Sequence, residues 1–234
     1  MTRVGRWRGA GVLAGMLLLL AGACNRAPVT VRAERLAPLP RGEVRYIAVL
    51  PFETASGVGA EAFESGQETR GEAPATTVHR AVTEEMLTLP GWEVTDDLVV
   101  GEAVRKLYGT IRPVGPDEVA AVGRLLGVDA VVHGIVRGFE VRVGAEYAAS
   151  RPALVDFAVT LALFPAGETV WRAEFVERQQ PLSDDLWNLF GFVRARGRWL
   201  RAGELAIIGA RQVTGQMHHV LYGGAATPVP KPEW

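Results

Sequence analysis

Apolar residues change their period twice along the chain, and each change predicts a different element. Residues 24–43 hold Pro28, Pro38 and Pro40 among scattered arginines without sustained periodicity, which predicts a tether. The run Val44-Arg45-Tyr46-Ile47-Ala48-Val49-Leu50-Pro51-Phe52 is β-branched and aromatic, as a buried strand requires, and Pro51 ends it. A long connection from Glu53 to Ala75 follows, rich in Gly, Ala, Ser and Thr. The period then becomes helical: Val78, Ala81, Val82 and Met86 share a face over Thr77–Leu87, and Pro90-Gly91 stops the helix. Trp92-Glu93-Val94 predicts a short strand, and helices are expected over Asp97–Leu107 and Asp117–Leu126, the second ended by Gly127.

Val128 to Phe139 reads as a central strand, apolar on both faces at first and alternating later. Period two then takes over. Val155, Phe157, Val159, Leu161 and Leu163 share one face of Leu154–Phe164. After the turn Pro165-Ala166-Gly167, Thr169, Trp171, Ala173 and Phe175 share a face of the returning strand. A last helix is expected over Gly203–His219, weakened by Gly209 and Gly215, before a loose proline-containing tail. Strands alternating with helices, followed by a hairpin, describe an α/β fold: a single-domain sandwich over residues 44–222 with a mixed sheet, its parallel core extended by an antiparallel hairpin and covered by helices. The tail occupies 223–234.

Before all of this stands an apolar run of a different kind. Ala10 to Leu20 follows Arg3, Arg6 and Arg8, no acidic residue occurs in residues 1–23, and small residues Ala21, Gly22 and Ala23 precede Cys24. A basic start, a short apolar core and a small-residue end form a secretory signal peptide, too short to span the bilayer. The last four residues resemble the bacterial lipobox, in which the signal is cut before a cysteine that carries lipid. This resemblance implies that the mature chain starts at Cys24 with a membrane anchor. Asn25 in the next position resembles outer-membrane sorting, which implies an outer-membrane protein facing the periplasm.

Composition changes the picture only after that cut. The 234-residue chain has one cysteine, a formal net charge of −1 and 48% hydrophobic residues. Losing three arginines with the leader moves the charge to −4, so the basic footprint of nucleic-acid binding is absent and no nucleic-acid partner is expected. With Cys24 acylated, no disulfide, cysteine nucleophile or cysteine metal ligand remains.

Three stretches carry a wider resemblance: Ile47 to Phe52, Leu126-Gly127-Val128-Asp129-Ala130-Val131-Val132-His133-Gly134, and Ala166 to Ala173 with Trp171. Together they are similar to the bacterial envelope proteins grouped around CsgG, the TolB amino-terminal domain and the LpoB-type activators. The resemblance covers roughly Val44 to Met217 and implies an α/β fold with a mixed sheet, often in a lipoprotein, serving assembly without catalysis. The motifs themselves read as structural: Pro51 ends a strand, Gly127 caps a helix, Gly134 lets backbone approach, and Trp171 plugs the core.

The candidate site is the segment Ser183 to Arg201. Ser183, Asp184 and Asp185 suit a helix start, Leu186, Trp187, Leu189, Phe190 and Val193 form an apolar face, and Phe192 points off it. Arg194, Arg196, Arg198 and Trp199 follow. Trp and Arg are enriched at interface hot spots, so Trp187, Phe190, Phe192, Arg194, Arg196, Arg198 and Trp199 are the expected partner-binding residues. The same composition suits a helix lying on a membrane surface, or one packed on the sheet with a solvated arginine edge.

His218-His219 are adjacent and so point about 100° apart on a helix, which suits a terminal cation rather than a metal site. His133 reads as a satisfied buried histidine. Glu53, Glu61, Glu64, Glu68 and Glu72 are irregularly spaced and read as a solvated loop. No GxGxxG, GxxxxGK[ST], GxSxG or HExxH occurs. The expectation is a non-catalytic accessory protein without cofactor or metal, anchored by lipid at Cys24, that supports or regulates an envelope assembly or transport machine through a protein partner. A CsgG-like oligomeric channel subunit is the alternative, with self-association left open.

Overall fold

Ile47, Ala48, Val49 and Leu50 are all fully buried, which requires cover on both faces of the strand that carries them. The computed structural model describes residues 31–38, 43–56, 58, 72–145, 148–179 and 199–223, and it supplies that cover. In chain order its elements are β1 (Val31–Arg35), β2 (Tyr46–Val49), β3 (Glu53–Thr54), α1 (Pro74–Leu87), β4 (Glu93–Val94), α2 (Asp97–Tyr108) and α3 (Val119–Leu126). There follow β5 (Ala130–Glu140), β6 (Val143–Ala145), β7 (Ala148–Arg151), β8 (Leu154–Leu163), β9 (Glu168–Arg178) and α4 (Ala202–Tyr222).

Seven strands form one mixed sheet in the order β1-β9-β8-β5-β2-β4, with β3 continuing beside β5. β2, β3 and β4 pair in parallel, while β8, β9 and β1 are added antiparallel. On one face α1 and α4 pack side by side over Val132, Phe157, Trp171 and Phe175. Arg211 of α4 holds Glu85 of α1 at 3.0 Å. On the other face α2 and α3 cover only the β2 end, through Ala48, Leu50, Val131 and Ala162.

Asp129 joins the start of β2 to the start of β5. Its Oδ2 accepts from the backbone N–H of both Arg45 and Tyr46 at 2.8 Å. At the same end Trp92, His218 and Tyr222 form an aromatic cluster with centroids 4.9 to 5.7 Å apart. His218 donates through Nε2 to the Pro90 carbonyl at 2.8 Å. The histidine expected as a helix-end cation therefore holds the turn after α1.

Several expectations need correction. Within the expected tether, Val31–Arg35 forms an edge strand on β9, with Val31 opposite Phe175 and 6% exposed. Its order comes from backbone hydrogen bonds, continued by Leu36 and Ala37 N–H donating to the Val170 carbonyl, and side-chain periodicity does not display those. A β-bulge between Leu161 and Ala162 places Val170 as an extra residue, so Val170 is buried beside Trp171 while Thr169 is exposed. Gly134 accommodates the ring of Phe52, which would lie 2.4 Å from an added Cβ, rather than a neighbouring backbone. Gly209 is where Phe157 and Phe175 press on α4, so it allows close packing instead of merely weakening the helix. The first helix starts earlier, at Pro74, whose missing N–H costs nothing in the first turn.

Candidate docking surface

α2 and α3 leave the β8–β9–β1 half of their face open among the described residues, and polar side chains fill the alternate positions there. The register places His133 beside Thr160 and Arg172, and Ile135 beside Ala158 and Glu174. A second bulge, between Val136 and Gly138, makes Arg137 an extra residue, and its guanidinium reaches two strands. Nε donates to Asp156 at 2.9 Å and Nη1 to Glu174 at 2.9 Å, while Arg172 Nη2 meets the same Glu174 oxygen at 3.0 Å.

Partial burial disfavours the charge of Arg137, but the hydrogen bonds to Asp156 and Glu174 more than offset this and raise its pKa. Those from Arg137 hold the Glu174 carboxyl below its ordinary range. Burial, and then the positive charge of Arg172, push the His133 imidazole down to about 4. The face is thus a lattice of fixed charges with a neutral histidine at its edge.

One end of the sheet gathers the chain's long excursions. β5 and β9 run toward it, and β8 and β1 start from it. The small antiparallel pair β6 and β7 extends beyond it. There the side chain of Gln179 accepts from the Leu200 N–H at 2.7 Å, and Arg142 Nη1 donates to the Trp199 carbonyl at 2.5 Å. Glu204 accepts from Arg201 N–H at 2.8 Å and starts α4. Gln179 and Leu200, the described residues on either side of 180–198, are therefore clasped together in a neck.

Of the expected site residues, Trp187, Phe190, Phe192, Arg194, Arg196 and Arg198 lie outside the described residues, as does Cys24. Trp199 is described and is 7% exposed, packed at the neck. Of the glutamate-rich connection, Glu53 begins β3 on β5, and Glu72 holds Arg80 of α1 at 2.8 Å; Glu61, Glu64 and Glu68 lie outside the described residues. Sequence reasoning missed the charge lattice. Its signal is the row of polar residues Asp156, Thr160, Arg172 and Glu174 alternating with core positions, which reads equally as an ordinary solvated face. Among the described residues no helix is long and apolar enough to cross a membrane.

No family model and no curated protein matches the chain. Solved structures do resemble it. The PelC dodecamer from Paraburkholderia phytofirmans is 10% identical with a TM-score of 0.44, covering 82% of this chain and 97% of that one. The LpoB C-terminal domain from Escherichia coli is 13% identical with a TM-score of 0.39, covering 70% and 96%. The lipoprotein GNA1162 from Neisseria meningitidis is 17% identical with a TM-score of 0.37, covering 65% and 96%.

Proposed function

We propose that the protein is a lipid-anchored, non-catalytic accessory of the bacterial envelope. Acylated at Cys24 in the outer membrane, it faces the periplasm and presents the clasped end of its sheet to a protein of an assembly or transport machine. The observation that carries this reading is positional. Val31 enters the sheet seven residues after Cys24, at the end where Gln179 and Leu200 are clasped. Seven residues reach at most about 25 Å, so lipid at Cys24 holds that end next to the bilayer whatever path the residues take. Trp187, Phe190, Phe192 and the arginines Arg194, Arg196 and Arg198 are then the contact residues, close to the headgroups.

Cys24→Ala tests the anchor: the protein moves from the membrane fraction to the soluble one, and mass spectrometry of the parent shows an acylated Cys24 as the first residue. An unmodified amino terminus at another residue refutes the anchor. Trp187→Ala with Phe190→Ala tests the docking role. Each truncation of an interface anchor costs about 2 kcal/mol, roughly thirtyfold in Kd, so crosslinked capture of the partner from membranes is lost. Unchanged capture overturns that role. SDS-resistant oligomers of the parent protein would support the channel-subunit reading in its place.

A further inference from the structure

The edge strand β1 carries charges that the described residues leave unused. Arg32 lies opposite Glu174 and Glu34 opposite Arg172 on the open face. Yet Glu174 is taken by Arg137 and Arg172, and among the described residues Arg32, Glu34 and Arg35 make no ion pair. β1 ends the sheet, so among the described residues its outer N–H and C=O groups face no further strand. In its sequence, Val-Arg-Ala-Glu-Arg, the residues flanking Ala33 carry opposite charges.

We propose that β1 pairs antiparallel with β1 of a second copy of this chain, centred on Ala33, joining two sheets into one. In that register Arg32 faces Glu34 of the second copy, and Glu34 faces Arg32 of the second copy. Charges then alternate across the junction in both rows: Arg172, Glu34, then Arg32 and Glu174 of the second copy; and Glu174, Arg32, then Glu34 and Arg172 of the second copy. A slip by one residue sets Arg32 against Arg35, a slip by two sets Glu34 or Arg32 against its own copy, and like charges directly opposite destabilise a strand pair. The two-fold relation closes the assembly at two copies. A five-residue strand pair is a small interface, so the pairing draws on the raised effective concentration of chains confined to one membrane. To that extent it rests on the anchor proposed above.

The test is a disulfide. Opposite residues in an antiparallel pair have Cα atoms about 4.5–5.5 Å apart, within disulfide range. Ala33→Cys in the full-length protein, oxidised mildly in membranes, is expected to shift the chain to twice its monomer mass on a non-reducing gel. Arg124→Cys on the exposed side of α3 serves as the collision control and stays monomeric. Arg32→Glu added to Ala33→Cys removes the dimer, and Glu34→Arg added to that pair restores it; unchanged thermal melts show that each variant folds. Crosslinking no faster than the control overturns the proposal. The same series in a Cys24→Ala background at raised protein concentration separates the two readings: a dimer there that stays in the membrane fraction sinks the anchor alone, and a soluble chain that crosslinks no faster than the control sinks the pairing alone.

Discussion

Asp129 and His133, four residues apart in β5 and the turn before it, show how single side chains set the conditions for folding. Asp129 accepts from two exposed backbone N–H groups at once, so Asp129→Ala leaves both to water and is expected to cost about 1–2 kcal/mol, read as a lower urea midpoint. His133 acts through pH. Its folded-state value of about 4 lies below the ordinary 6.5. Between those values the unfolded chain binds the extra proton, so stability is full above about pH 6.5 and falls as pH drops toward 4. His133→Gln should flatten urea midpoints across that window. Below it the Glu174 carboxyl, held low by Arg137, adds its own loss on protonation. Gly134→Ala should cost about 1–3 kcal/mol by driving Cβ into the Phe52 ring, and Phe52→Leu should recover part of that in the double variant.

At the scale of elements, α4 is held through both ends and one side. Arg211 reaches Glu85, His218 reaches the turn after α1, and Gly209 admits the rings below it. Arg211→Ala should lower stability by about 1–3 kcal/mol because Glu85, 16% exposed, loses its partner. The elements read from periodicity stand within a few residues: α1, α2, α3, α4, β5, β8 and β9 all announce themselves by repeating apolar positions. What escaped the sequence has no such repeat. β1 has a single buried anchor, Val31; the bulge at Val170 breaks period two by one residue; and Glu53–Thr54 is too short to show a period. Of the candidate surface, the aromatic and arginine segment that composition singles out lies, except for the buried Trp199, outside the described residues. The charge lattice arises from strand register, which a one-dimensional pattern does not contain.

For the whole molecule, the place where the chain enters the sheet decides reach. A tether running from Cys24 to residue 43 would extend about 70 Å, whereas entry at Val31 limits it to about 25 Å. An acylated protein of this build meets partners that come to the membrane surface. Fluorescence transfer between Val143→Cys, at the base of the β6–β7 extension, and a dye-labelled bilayer is expected to be strong, and transfer from Arg124→Cys on α3 weaker.

The clasp between Gln179 and Leu200 also divides the chain into a scaffold and an exchangeable part. Because both ends of residues 180–198 are already fixed together, a four-residue linker could replace them, and the shorter closure would favour folding by about 1 kcal/mol. Related chains are then free to vary the content and length of this insert at little cost to the core. Were residues 180–198 the docking segment proposed above, grafting them onto another copy of the scaffold would transfer that binding while the sheet beneath stayed the same.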